Sequence, residues 1–378
     1  MILASLALVP FLLFSYRGTG VVMLAYWVAA MPLALVGWSW LTRAQPWLIA
    51  LLALVVYGCF SVIWSPSSKA PEAFVYIILV LTGGPLVAHG RIRPELFMWC
   101  MFLAVAALLA DAVTGNAIRG LVPPDNTPLK DASFTGRGVT LALLLLPAAV
   151  LAAYRTGGWR LGRGAIVLAG IAAASTPVAL NGVMLLGGLG VMVMTALTPK
   201  IGLRMIVLAG GVVMAAPFAL AAFLPDVETL QQISSIPDSF VHRLIIWRTV
   251  LDAWLAGGLL FGEGARATAE LFAQGGTVTL ASGAVLPLVS VHPHNAPTEV
   301  LYDLGLTGYS LLLAAYVFAA RALLGRPIRR DMAAVLAATL WGAFVVLSLD
   351  YSIWSEFIPC TLVIAAWWLR VLSGQGGR

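Results

Sequence analysis

Two histidines set two positions apart, His292 and His294, open the run His292-Pro293-His294-Asn295-Ala296-Pro297-Thr298-Glu299 ahead of a long apolar stretch. Asn295 as a cap and Pro297 in the first turn make that stretch the start of a helix. Imidazole titrates nearest neutral pH, so a neutral His294 at this entrance can take a proton from a hydroxyl, with His292 orienting or contacting the acceptor. The positive end of the helix dipole beside it favours an anion such as phosphate. The competing reading is that both are polar residues of an interfacial loop.

Fixed positive charge is the second ingredient. Arg137 follows Phe134-Thr135-Gly136 directly before another apolar run, and Arg243 and Arg248 lie in the segment Ser239 to Leu255. A planar guanidinium can grip phosphate oxygens two at a time. Snorkelling or surface ion pairing is the plainer use for each of them, and Lys130 and Arg266 read as plain in that sense. Glu299 and Asp303, four apart, share one helix face, where they could orient a histidine or bind hydroxyls. Acids that merely complement a helix N-terminus look the same. No third ligand stands at a recognisable spacing from the histidines, so neither a metal nor a cofactor is called for. Cys59, Cys100 and Cys360 each sit singly in apolar runs, as packing residues do.

These residues are carried by a very apolar chain. Of 378 residues, 61% are hydrophobic and only 10% are charged, and mean hydropathy is +0.96. A soluble domain carries about 25% charged residues, so this chain cannot cover a water-facing surface. Its apolar runs are unbroken rather than alternating, which excludes a β-barrel. The expected architecture is an all-α polytopic membrane protein, a single membrane domain over residues 1–378. Apolar runs between charged or Pro/Gly breaks predict about twelve transmembrane helices of about 20 residues each. They lie near 1–16, 21–41, 47–64, 72–88, 95–113, 138–154, 164–180, 182–198, 202–224, 298–320, 331–349 and 354–370. Met1 to Tyr16 lacks a positive leader and a small-residue cleavage site, and is read as a retained span.

The net charge of +6 serves topology rather than nucleic acid. With the N-terminus in the cytoplasm, fourteen of the 22 Lys and Arg fall on that side, the remainder being Arg17, Lys69, Arg119, Lys130, Arg137, Arg243, Arg248 and Arg266. Both termini are then cytoplasmic. Residues 225–297 form one long periplasmic loop between the ninth and tenth spans, too long for a mere connector. Inside it, Ser239 to Leu255 has helical periodicity, with Phe240, Leu244, Trp247, Leu251 and Trp254 on one face, Asp238 or Ser239 as cap and Gly257-Gly258 as terminator. The rest of the loop reads as irregular.

The run from His294 through Asp303-Leu304-Gly305-Leu306-Thr307-Gly308 resembles the His-Asn … acidic-Leu-Gly-Leu-x-Gly signature of the O-antigen ligase and polymerase superfamily. Arg243-Leu244-Ile245-Ile246-Trp247-Arg248 followed by Leu260-Phe261-Gly262-Glu263-Gly264 is similar to that family's Arg-x-x-x-Trp … Phe-Gly-x-Gly stretch. Phe134-Thr135-Gly136-Arg137-Gly138 resembles its arginine-bearing helix start. The run Ser175 to Gly182 departs from the family pattern, which has an arginine there. The resemblance implies a metal-independent glycosyltransferase of lipopolysaccharide biosynthesis in the bacterial inner membrane, with its active site facing the periplasm. The donor would be a glycan on undecaprenyl diphosphate and the acceptor a hydroxyl of lipid A–core. A polymerase would instead use another lipid-linked repeat, and a protein acceptor is a third possibility. His294 would be the general base, with Arg137, Arg243 and Arg248 on the diphosphate and His292, Asn295 and Glu299 as further contacts. Membrane lipids are partners and nucleic acid is not. The rival of a different class is a transporter or flippase, whose ionisable residues would sit at mid-membrane in repeated or broken helices.

Overall fold

The computed structural model describes residues 45–77, 79, 83, 94–115, 117, 130–157, 159–175, 178–355 and 357–374. The spans expected at 1–16 and 21–41, and most of that at 72–88, lie outside the described residues. In chain order the helices are α1 (Pro46–Phe60), α2 (Pro94–Val113), α3 (Lys130–Gly157), α4 (Trp159–Ala174), α5 (Ala179–Leu197) and α6 (Pro199–Phe223). Then come α7 (Val227–Leu230), α8 (Asp238–Ala256), α9 (Ala267–Ala273), a hairpin of β1 (Thr277–Thr279) and β2 (Val285–Pro287), and finally α10 (Ala296–Leu324), α11 (Arg330–Leu349) and α12 (Phe357–Gly374).

Six helices among the described residues are long and apolar enough to cross a membrane, and two shorter ones are apolar as well. The chain is therefore a helical membrane protein. Helix α3 is its central post. Leu141, Leu144, Leu145, Ala148 and Ala152 are all fully buried, and α2, α4, α11 and α12 pack around them. A helix apolar on every side must be enclosed in this way or face lipid. Helices α5 and α6 do the latter, with Leu186, Leu197, Leu208 and Val212 exposed.

The two ends of the bundle are held differently. At one end Arg155 pairs with Asp331 at 2.5 Å and also donates to the Leu372 carbonyl, while Arg326 donates to Gln45 Oε1 at 3.0 Å. At the other end Asn181 Nδ2 donates to the Gly136 carbonyl at 3.3 Å and its Oδ1 lies 2.8 Å from Thr140 Oγ1. The break expected between the spans 164–180 and 182–198 is thereby corrected. Helix α4 ends at Ala174, and Asn181 stands buried in the first turn of α5, bridging to α3 instead of turning the chain.

Residues 224–295 separate α6 from α10 and are more ordered than expected. The hairpin pairs Thr277 with Pro287 and Thr279 with Val285, its reversal closed by Gly283 donating to the Leu280 carbonyl at 2.8 Å. The alternation in Thr277-Val278-Thr279 and the Ser282-Gly283 pair were its signals. Helix α8 stands as predicted, but its cap is Pro237, and the Asp238 carboxylate instead accepts from Ser282 at 2.7 Å. Its buried stripe is Val241, Ile245, Ile246, Val250, Leu251 and Trp254, whereas Phe240 is exposed. The stripe is rotated because α6, α7 and α10 all press on α8, so tertiary contacts on more than one side select the face.

Helix α10, expected to be continuous, is broken at Gly305 (φ 62°, ψ −168°). The segment 259–264 threads through the break. Glu263 and Gly264 donate to the Tyr302 and Asp303 carbonyls at 3.0 and 2.8 Å, and Leu306 and Thr307 donate to the Leu259 and Leu260 carbonyls at 3.0 Å each. A Cβ on Gly305 would stand 2.5 Å from the Gly262 nitrogen and the Leu260 carbonyl, and one on Gly262 would strike the Asp303 carbonyl. Both glycines also hold positive φ. Gly305→Ala and Gly262→Ala should each cost at least about 2–3 kcal/mol from backbone strain and overpacking. The check is thermal unfolding of the purified variants in detergent beside Gly190→Ala, where a Cβ meets nothing and the backbone is helical.

Candidate functional site

The site forms where the N-terminus of α10, the C-terminus of α11, the second turn of α3 and one face of α8 come together. Asn295 caps α10, its Oδ1 accepting from Thr298 N at 3.0 Å while its Nδ2 donates to the Ser348 carbonyl of α11 at 3.2 Å. The preceding residue, His294, has φ +55°. Non-glycine residues enter this region at a cost that the surroundings must hold in place. Here they do, since Trp247 Nε1 of α8 donates to the Pro293 carbonyl at 2.7 Å.

Both imidazoles converge on one acceptor, the Asp350 carbonyl at the end of α11. His294 Nδ1 donates to it at 2.6 Å and His292 Nε2 at 3.0 Å, and the ring centroids are 4.3 Å apart. An Nδ1–H committed to a carbonyl fixes the tautomer and leaves Nε2 of His294 as the lone-pair nitrogen. No partner for that Nε2 stands among the described residues. Burial, and then the neighbouring His292, Arg243 and His242, push the His294 imidazole down to about 3 against the pull of the Asp350 carbonyl. Burial and Arg137 likewise lower His292. Both rings are thus neutral at neutral pH.

The charges of Arg243 and Arg137 act on the same spot. Burial raises the Asp350 carboxyl, and these two guanidinium groups hold it back. Asp350 Oδ1 is 3.9 Å from His294 Nδ1. Arg243 is held only loosely, by a 3.3 Å bond from its NH1 to the Ser239 carbonyl and by the Phe240 ring 5.8 Å away. Its Nε is buried with no hydrogen-bond partner among the described residues. A buried guanidinium N–H without an acceptor costs free energy that an incoming anion would recover.

The structure separates the other residues singled out in the sequence. Arg248 forks onto Asp252 at 2.9 and 2.8 Å and donates to the Leu224 carbonyl at 2.9 Å, which ties its guanidinium to α8 and to the residue after α6. Arg266 pairs with Glu72 and donates to the Trp354 carbonyl at 3.0 Å. Glu299 is buried, with Oε1 accepting from Ser352 at 2.6 Å and Oε2 from Ile353 N at 2.7 Å. Asp303, one turn further, accepts from Trp354 Nε1 at 2.6 Å and from Thr268. The two acids share a face as expected, and both hold backbone. Glu299 fixes the residues just after Asp350, and so fixes the carbonyl that both histidines share. The α10 N-terminus offers little direct anion contact, because Pro297 has no N–H and that of Thr298 goes to Asn295.

Asp350 is the site residue that sequence reasoning passed over. It was one acid among several at helix ends, and only the return of α11 to the α10 entrance distinguishes it. Tyr351, Thr140 and Asn181 form the floor behind it. Tyr351 is hydrogen-bonded to Thr140, and burial, then Asp350, raises its phenol. Among the described residues no group of three or more His, Cys, Asp or Glu is gathered as metal ligands would be.

Fold and site together define a helical membrane protein with a cluster of two histidines and two arginines at one end of its bundle. No protein-family model matches the chain, and no curated protein matches it.

Proposed function

We propose that this protein is an O-antigen ligase-like glycosyltransferase, moving a glycan from undecaprenyl diphosphate to an acceptor hydroxyl at the periplasmic face. What carries the reading is the pairing of a buried Arg243 Nε with the Nε2 of a neutral His294, neither of which has a partner among the described residues. The first suits a diphosphate and the second suits a hydroxyl proton. Arg137 and Arg243 hold the diphosphate, and Arg248 supports α8 rather than the donor. The acceptor oxygen attacks the anomeric carbon and the bond from that carbon to the diphosphate oxygen breaks. Its electron pair leaves with the diphosphate, where the arginines stabilise it, and the hydroxyl proton passes to His294 Nε2. Displacement from the opposite face inverts the anomeric centre. Lipid A–core is the favoured acceptor, and a second lipid-linked repeat would make the same chemistry a polymerase.

A transporter fits less well. The broken helix that it would use as an ion site is present, but the carbonyls of Tyr302 and Asp303 and the N–H groups of Leu306 and Thr307 are all taken by residues 259–264. Transfer should also survive chelation. Purified protein with a lipid-linked donor and acceptor is expected to keep its rate in EDTA, and loss restored by a divalent ion would require a metal in the mechanism.

The topology that goes with this function has twelve spans, both termini in the cytoplasm and residues 225–297 in the periplasm. Among the described residues, Arg155, Arg160, Arg163, Lys200, Arg204, Arg321, Arg326, Arg329, Arg330 and Arg370 lie at or near helix ends away from the histidines. This is the distribution expected of a cytoplasmic face. Reporter fusions after Thr198 and Ala265 should read cytoplasm and periplasm respectively, and the reverse pair would invert the topology.

A further inference from the structure

We propose that the segment Leu259-Leu260-Phe261 is a lipid-inserted wedge, irregular backbone that enters the hydrocarbon of the bilayer beside α1 instead of lying above it in water. Three neighbouring large apolar side chains point away from the protein here, Leu259, Leu260 and Phe261 being 44, 56 and 62% exposed. In water such a cluster is unfavourable, at about 25 cal/mol per Å² of apolar surface. The carbonyls of the segment meet the objection that non-helical chain cannot face lipid, while the N–H groups of Leu259, Leu260 and Phe261 have no partner among the described residues and set the segment at the rim of the hydrocarbon rather than deep in it. Bare carbonyls are not tolerated in hydrocarbon, so irregular segments at that depth need protein partners.

Every carbonyl from 258 to 262 has one. That of Gly258 accepts from Gly262 N, those of Leu259 and Leu260 from Leu306 N and Thr307 N, each at 3.0 Å. Phe261 O accepts from the Tyr57 hydroxyl at 3.0 Å and Gly262 O from Trp64 Nε1 at 3.2 Å. The last two donors are aromatic residues of the α1 end, a location where Tyr and Trp anchor proteins at the edge of the bilayer.

The surroundings place the same surface against lipid. Tyr57 belongs to the candidate span Pro46–Ile63, whose Phe60 and Ile63 are themselves exposed and extend the apolar band. Of the acids nearby, Asp303 turns inward to Trp354 and Thr268, and the Glu263 carboxylate folds back over Gly257 and Gly258, away from the three apolar side chains. Below the break, residues 306–324 form a helix of about 28 Å at 1.5 Å per residue, close to the roughly 30 Å hydrocarbon thickness. The wedge therefore sits at the outer edge of the apolar layer. It does not depend on the glycosyltransferase reading.

The test is nitroxide labelling of single cysteine variants of the full chain in nanodiscs, with collision rates measured against dissolved oxygen and a water-soluble nickel chelate. The native cysteines are buried, and the unsubstituted chain serves as the labelling blank. Leu260→Cys and Phe261→Cys should give an oxygen-to-nickel ratio several-fold above that of Ser282→Cys at the hairpin tip. That ratio should approach the value at Val212→Cys on the lipid face of α6. A ratio equal to that at 282 would place the segment in water, and low collision rates with both reagents would place it under protein; either result overturns the proposal.

Discussion

Replacing His294 by Ala is expected to lower product formation by about 10²–10⁴-fold, the usual contribution of a positioned base. Membrane insertion and donor binding should be retained. The ring lies at the lip of the α10 entrance with its side chain about a quarter exposed and outside the main apolar clusters, so its loss should leave the bundle assembled. His292→Ala should be milder, because that ring shares the Asp350 carbonyl with His294 at the longer distance of 3.0 Å. The pH profile gives an independent check. With the imidazole at about 3 in the free protein, protonation of His294 should not depress kcat/KM between pH 5 and 8. A bound diphosphate puts negative charge beside the ring, favours the imidazolium and raises its pKa. The acid limb of kcat should therefore lie at higher pH than that of kcat/KM. Superimposed limbs would mean that the donor anion does not approach His294.

Arg243→Ala should weaken donor binding and transfer by at least about 30-fold, the lower end of the 2–5 kcal/mol that truncating a buried, charged hydrogen-bonding group costs at a complex. Arg243→Lys should recover only part of this, because a point charge cannot reproduce the planar fork. Arg248→Ala is the internal control. Its guanidinium is already tied to Asp252 and Leu224, so its loss should appear in stability before donor affinity. Titration of a polyprenyl diphosphate against the three variants distinguishes these outcomes. Normal donor affinity in correctly inserted Arg243→Ala would remove the residue from the site.

The sequence made the membrane class plain, since hydrocarbon selects against charge at every residue of a span and twelve apolar runs stand out from their breaks. Helix α8 and the α10 entrance were legible for the same local reason, periodicity in one and a cap with Pro297 in the other. What was not legible depends on partners distant in the chain. Gly305 reads as an ordinary glycine in an apolar helix until segment 259–264 arrives to take the backbone groups that its break frees. Glu299 reads as a ligand candidate until Ser352 and Ile353 occupy both of its oxygens, and Asp350 is anonymous until two histidines share its carbonyl. Arg243 and Arg248 lie on the same helix and differ in their local neighbours. Asp252, four residues after Arg248, already marks that arginine as paired, and the fold adds the Leu224 carbonyl, while the Arg243 Nε is left without a partner among the described residues.

Reconstitution into liposomes with an undecaprenyl diphosphate-linked glycan and a lipid A–core acceptor on the same face tests the central claim most directly, following glycoside formation and carrier release together. The account predicts one undecaprenyl diphosphate freed for each new glycosidic bond, inverted at the anomeric carbon, and both lost in His294→Ala. Movement of intact donor across the bilayer, with no glycoside formed with this acceptor or a second lipid-linked repeat, would contradict it.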